Sequence, residues 1–248
     1  MLGRSFCPDC RTQLKWYDLI PLFSFIWLRG RCRYCRKKIS WQYPIVEFLS
    51  GLIWLGVFYV QPPLVPPLIK GGLGGVLDSI YYIFIFSALL VIAVYDFKWR
   101  IIPDKIIYPA IAVVFIFNLF NAITPSFLPP YQGGLWGVFL WPLLTAIIAF
   151  LFFFLIYYFS KGKAMGLGDA KLAFLIGLFL SPVSATAAFA LAFITGAAFG
   201  IILIGFGKIF PHYGKWEMKS QIAFGPFLVL GVFLVFFFSD FIFNLFNF

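Results

Sequence analysis

The sequence predicts an all-α polytopic membrane protein of about seven transmembrane helices, with a small zinc-ribbon-like cytoplasmic domain at the N-terminus. Three observations carry this expectation. Of 248 residues, 62% are apolar, 22% are aromatic and only 11% are charged, whereas a soluble domain is about half apolar; mean hydropathy is +0.97. The apolar residues are gathered into stretches close to the roughly 20 that a helix needs to cross a hydrocarbon core. The basic residues, finally, are gathered into alternate loops.

Taken in order, the stretches lie near 43–60, 76–97, 106–123, 135–159, 172–182, 184–206 and 222–240. Helices are the expected form, because hydrocarbon offers no water to satisfy a loose backbone group. The fifth stretch is short, and Pro182 follows it closely. The intervening segments "QPPLVPPLIKGG" and "TPSFLPPYQGG" have the Pro and Gly content of connectors. The chain thus divides into a cysteine domain over 1–42 and a membrane domain over 43–248. Met1 leads straight into a polar segment, so no cleavable leader is expected. No internal repeat of the sort that builds transporters is visible.

The net charge of +10 invites a nucleic-acid reading until the charges are located. Nine of the 19 Lys and Arg precede residue 43, and nine more fall in 98–105, 161–171 and 208–219; Lys70 alone lies on the other side. Short basic loops stay in the cytoplasm. The N-terminus is therefore placed inside and the C-terminus outside, with the lipid bilayer as partner and no nucleic acid.

All four cysteines stand in "CPDC" (7–10) and "CRYC" (32–35). Two C-x2-C turns separated by 21 residues match the zinc-ribbon pattern, and each turn offers two thiolates to one tetrahedral ion. Cys7, Cys10, Cys32 and Cys35 are the expected ligands of a structural Zn2+. Two disulfides or plain buried thiols are the alternatives, and a cytoplasmic location disfavours the first.

Nine acidic residues remain to be placed. Asp78 and Asp240 fall at outer helix ends, where they would anchor an interface. Asp9, Asp18 and Glu217 sit in solvated segments and call for no special role. Asp96 closes the second stretch in "VIAVYDFKWRIIPDK", and Asp169 opens the fifth in "GLGDAK". The topology brings both to the cytoplasmic face at similar depth. Ionisable groups bordering a span are functional candidates, and two carboxylates brought together share a proton, as aspartic proteases require. The competing reading has each as a helix-end residue paired with Lys98 or Lys171. Gly166 and Gly168 weigh against it, since glycines permit close approach and unusual dihedrals.

These residues together resemble the type IV prepilin peptidases, bifunctional leader peptidase/N-methyltransferases of the GxGD aspartic protease group. The resemblance covers nearly the whole chain: the cysteine segment running into "YPIVEFLSG", "DFKWRIIPD" (96–104), "GLGDAK" (166–171) and "AFGPFL" (223–228). It implies a bacterial inner-membrane enzyme that removes a short basic leader from prepilins or pseudopilins after a glycine, on the cytoplasmic side. It further implies N-methylation of the new N-terminus with S-adenosylmethionine. By the same resemblance Asp96 and Asp169 are the catalytic pair, and Asp104 is a position that proteolysis does not need, so a helix cap is expected there. Glu47 either meets substrate or positions the cysteine domain, with packing near the interface as the competing reading. Family members usually carry a further leading helix ending in a GSFLNVVIxRLP-like segment, tied to methylation, and "MLGRSFCPDC" corresponds to the stretch just C-terminal to that segment. His212 is read as a loop residue. The other classes considered are a transporter relaying cations through the two aspartates, and an assembly factor docking a partner through its cysteines. The first would set the aspartates near mid-membrane between matched halves, whereas they sit at one face and no repeat shows; the second leaves the paired aspartate motifs unexplained. Oligomeric state is not legible.

Overall fold

The computed structural model describes residues 5–60, 72–123, 136–209 and 223–238. His212, Glu217, Asp240, Lys70 and the two Pro/Gly connectors lie outside the described residues. The chain forms two compact units, Met1–Tyr59 and Val60–Phe248.

The first unit is built on its cysteines. A 3-10 turn over Trp16–Leu19 and the short helix α1, Phe23–Trp27, separate two nearly identical turns, and α2, Gln42–Val60, closes the unit. In the first turn the Cys7 amide donates to the Thr12 carbonyl and the Arg11 amide to that of Cys7; in the second, Cys32 donates to Lys37 and Arg36 to Cys32. An isolated antiparallel bridge flanks each turn, Phe6 with Gln13 and Arg31 with Lys38. Arg11 and Arg36, each following a second cysteine, adopt left-handed backbone with φ of 55° and 57°. That conformation costs a residue with a Cβ about 1 kcal/mol, so something must hold it. The repeat is thus a local one, C-x2-C-R written twice.

Two aspartates cross-link these turns. Asp9 in the first pairs with Lys37 in the second. Asp18, whose side chain is 3% exposed, accepts from Arg33 Nε at 2.7 Å, from the Lys15 amide at 3.2 Å and from the Tyr34 hydroxyl at 3.2 Å. Burial pulls the Asp18 carboxyl up, but Arg33, the Lys15 amide and Tyr34 outweigh it and hold the group below its ordinary range. Both aspartates, expected to call for no special role, form ion pairs within the unit. Glu47 has its own task, accepting the Leu22 amide at 3.0 Å. It ties the turn before α1 to the first helical turns of α2.

The regular structure of the second unit is all helical among its described residues: α3 (Gly72–Trp99), α4 (Asp104–Ile123), a π-helical turn (Trp136–Leu140), α5 (Trp141–Ser160), α6 (Leu167–Phe179), α7 (Pro182–Ile209) and α8 (Gly225–Phe237). Four helical stretches are long and apolar enough to cross a membrane: Val76–Trp99, Asp104–Ile123, Trp141–Ser160 and Pro182–Leu203. Pro182, which obscured the end of the fifth stretch, begins α7 instead, in the first turn where its missing N–H costs nothing.

Helix α6 is the most enclosed element, with Ala170, Leu172, Ala173, Leu175, Ile176 and Leu178 buried. It packs on α5 and α4, and α8 packs on α7 and α3. Small residues permit this: a Cβ on Gly177 would lie 2.7 Å from the Ala146 Cα, and one on Gly231 would lie 2.3 Å from the Ala188 carbonyl oxygen. Close backbone approach of this kind drives association in lipid, where apolar burial gives no advantage. Fully buried Phe86 gathers Phe179, Phe233, Phe236 and Phe237 about itself, with centroid distances of 4.7–5.7 Å. The abundance of phenylalanine is therefore spent in part on the interior.

Candidate active site

Three helix ends meet in the second unit: the last turn of α3, the first turn of α6 and the first turn of α8. Asp96 comes from the first, Asp169 from the second, and both are buried. Asp96 Oδ2 accepts the Gly225 amide at 2.9 Å. Asp169 occupies the third position of α6 and folds back, so that its Oδ2 accepts the Gly166 amide at 3.1 Å. Each carboxylate thus has one oxygen fixed on a helix N-terminal N–H, where orphan donors and the helix dipole favour negative charge. Asp169 Oδ1 is buried without a hydrogen-bond partner. The helices that carry the two aspartates, α3 and α6, both pack on α8.

The lysines go elsewhere. Lys171 Nζ donates to Asp104 Oδ1 at 2.6 Å and stands 5.0 Å from the centre of the Tyr108 ring. Lys98 lies over the Trp99 ring at 4.5 Å. Among the described residues, neither aspartate has the cation that a helix-end anchor would have had. Asp104 stands in the first turn of α4, and the partner of its carboxylate is Lys171 on α6, 67 residues away in sequence.

The glycines of GLGDAK act by space, not by dihedral freedom. Gly166 has φ −83° and ψ 155°, ordinary extended backbone. A Cβ there would approach nothing nearer than 3.6 Å. A Cβ on Gly168 would lie 3.0 Å from Ile102 Cβ, 3.2 Å from its Cγ1 and 3.3 Å from its Cδ1. Ile102, buried in the IPD segment, therefore sits directly against the backbone that carries Asp169. The unusual dihedrals expected at this pair of glycines are not found, and one glycine of the two carries the steric requirement.

In the first unit the four cysteine Sγ atoms lie within 4.8 Å of one another, with Cys7 and Cys35 at 3.9 Å. A disulfide bond would need about 2.05 Å. A tetrahedral ion bound through thiolates at about 2.3 Å sets the sulfurs about 3.8 Å apart. The four thiols fit such an ion and do not fit two disulfides.

The comparisons with known proteins agree with this architecture. Residues 1–61 match the model of the bacterial Peptidase A24 N-terminal domain, and residues 83–201 match that of the type IV leader peptidase family. Three prepilin leader peptidase/N-methyltransferases are similar along most of the chain. That of Dickeya chrysanthemi is 30% identical over 232 residues, 91% of this chain and 70% of its own length. That of Klebsiella pneumoniae is 31% identical over 180 residues, 71% of this chain and 68% of its own. That of Aeromonas salmonicida (strain A449) is 29% identical over 244 residues, 97% and 73%. The chain spans 65% of the length of a further relative from Burkholderia pseudomallei (strain 1026b). No solved structure matches. The apolar helices and the two family matches define the class, that of multi-pass membrane peptidases. Within that class, the chain belongs to the type IV leader peptidase family.

Proposed function

We propose that the chain is a membrane-boundary aspartic endopeptidase that removes the short basic leader of a prepilin or pseudopilin after a glycine. Asp96 and Asp169 are its catalytic pair. The observation that carries this reading is the state of the two carboxylates: both buried, each with one oxygen fixed on a backbone amide at a helix N-terminus, and neither in an ion pair among the described residues. One carboxylate takes the proton of a water as it attacks the scissile carbonyl. The other, protonated, gives its proton to that carbonyl oxygen, forming a gem-diol; as the diol collapses, the first carboxyl passes the water's proton to the departing amine and the second takes back the hydroxyl proton. Two carboxylates that cannot both ionise supply one base and one acid at the same pH. The unpartnered Oδ1 of Asp169 is the atom left to face water or substrate.

The setting follows from the loops. Basic residues before 43, in 98–105, in 161–171 and in 208–219 keep these segments in the cytoplasm of a bacterial inner membrane, with seven spans and the cysteine domain over 1–42 inside. The substrate's apolar N-terminal helix lies in the bilayer beside the enzyme and presents its leader junction at the depth of the aspartates. The cysteine cluster holds a structural Zn2+, whose four positions are filled by protein. Methylation of the new N-terminus from S-adenosylmethionine is extended to this chain from the names of its relatives. The test is a proteoliposome assay on a prepilin-like substrate with a basic leader ending in Gly before Phe, read by product mass. Cleavage after the glycine by wild type, lost in Asp96→Ala and in Asp169→Ala, supports the reading; a folded wild type that cleaves nothing refutes it.

A further inference from the structure

We propose that the backbone amide of Gly225 is the positioning group for Asp96, which makes the first turn of α8 a third component of the catalytic arrangement. The inference rests on the protease reading and assigns a task to "FGP" (224–226) that neither the sequence nor the family match gives it.

The donors of this turn can be accounted for one by one. A helix begins with four amides that lack an intrahelical partner. In α8, Phe227 and Leu228 both donate to the Phe224 carbonyl, at 3.0 and 3.2 Å. Pro226 has no N–H to give. Gly225 is left, and its amide goes to Asp96 Oδ2 across 129 residues of sequence. Proline thus removes the neighbouring donor that would otherwise compete for the carboxylate. Among the described residues, Asp96 is bound through one oxygen, Oδ2.

The remaining two letters serve the same contact. A Cβ on Gly225 would lie 2.6 Å from Asp96 Oδ2, 3.1 Å from its Cγ and 3.3 Å from its Cβ. No side chain fits there without driving the carboxylate off its donor. Phe224 fixes the turn itself, with ring contacts to Phe193 at 5.0 Å, Phe153 at 6.3 Å and Phe227 at 6.4 Å. Those rings belong to α7, α5 and α8, so the amide is held against the body of the bundle.

The experiment separates the amide from the space around it. Gly225→Ala adds the Cβ; replacement of Gly225 by glycolic acid, through nonsense suppression, keeps the shape, removes the N–H and leaves Phe224 with an ester carbonyl, a weaker acceptor for Phe227 and Leu228, whose effect the unfolding midpoint reads. Both are assayed in proteoliposomes on the prepilin-like substrate, beside Asp96→Ala and thermal unfolding of each protein. The glycolate enzyme is expected to lose roughly 10- to 100-fold in kcat, the scale of a hydrogen bond to a charged group. Its KM and unfolding midpoint are expected to stay near wild type, a split that a merely structural role would not give. Wild-type kcat in the folded glycolate enzyme overturns the proposal, whether or not Gly225→Ala folds. Retained cleavage in Asp96→Ala would instead overturn the protease reading, so the two failures are distinguishable.

Discussion

Gly168 offers the sharpest quantitative prediction, because the structure separates it from its neighbour in the same motif. Gly168→Ala places a methyl 3.0 Å from Ile102 Cβ, with Cγ1 and Cδ1 at 3.2 and 3.3 Å. Comfortable contact begins near 3.4 Å, so the α6 N-terminus and Ile102 must separate by about 0.4 Å. Overpacking of this kind costs about 1–3 kcal/mol of stability. Its effect on rate depends on where it acts, since the displaced backbone carries Asp169 one residue later. A misplacement of about 1 Å costs about 100-fold, and 0.4 Å scales to a loss of about sixfold in kcat. Gly166→Ala, whose Cβ meets nothing within 3.4 Å, is expected to stay within about twofold on the same scale. Ile102→Val with Gly168→Ala relieves the Cδ1 contact and is expected to recover part of the loss, a coupling that the two single variants cannot show. The assay is cleavage of the prepilin-like substrate at saturation, normalised to folded enzyme. Equal losses in Gly166→Ala and Gly168→Ala would refute the steric argument and return the motif to dihedral freedom.

Other predictions concern the surroundings of the pair. Asp104→Asn breaks the ion pair with Lys171, but the Asp104 side chain is 59% exposed, so the cost is about 0–1 kcal/mol; cleavage should fall less than about fivefold. The purified chain should carry one zinc per molecule by elemental analysis. Cys→Ser at any of the four thiols should abolish that stoichiometry and open the 5–41 segment to limited proteolysis, because a unit so poor in core folds on its ion. Asp18→Asn should weaken the same segment by about 1 kcal/mol at pH 7, discounted because Arg33 is more than a third exposed. The Asp18 carboxyl is held below its ordinary range when folded. Its stabilisation is therefore present above about pH 4 and is lost as pH falls through the folded value. The gap in proteolysis rate between wild type and Asp18→Asn should be constant from about pH 5 to 8 and close below that range. Persistence of the gap at low pH would sink the assignment.

Much of the fold is legible in the sequence because membrane spans are local: length and apolarity alone place α3, α4, α5 and α7. The cysteine pattern is legible for the same reason, since C-x2-C sets two thiols on one turn wherever it occurs. Partnerships across the chain are not. Lys171 stands two residues from Asp169 and reads as a candidate counter-ion for it, yet it reaches α4; only packing decides which carboxylate a lysine of that length meets. Asp18 reads as a solvated residue until Arg33, Tyr34 and the Lys15 amide close on it. The role of "FGP" is spread over a missing Cβ, a missing N–H and an aspartate 129 residues away. None of these has a sequence period, although proline directly after glycine at the head of an apolar run is a signal that a particular amide is being kept free.

Asp96 and Asp169 are held to act as one unit, and a double-substitution cycle tests that coupling. It reads kcat for prepilin cleavage in Asp96→Asn, Asp169→Asn and the double variant, each checked for folding. A dyad predicts that either single substitution removes as much rate as both together, since neither carboxylate can work without the other. Independent losses that multiply in the double variant, or substantial cleavage surviving in one of the single variants, would contradict it.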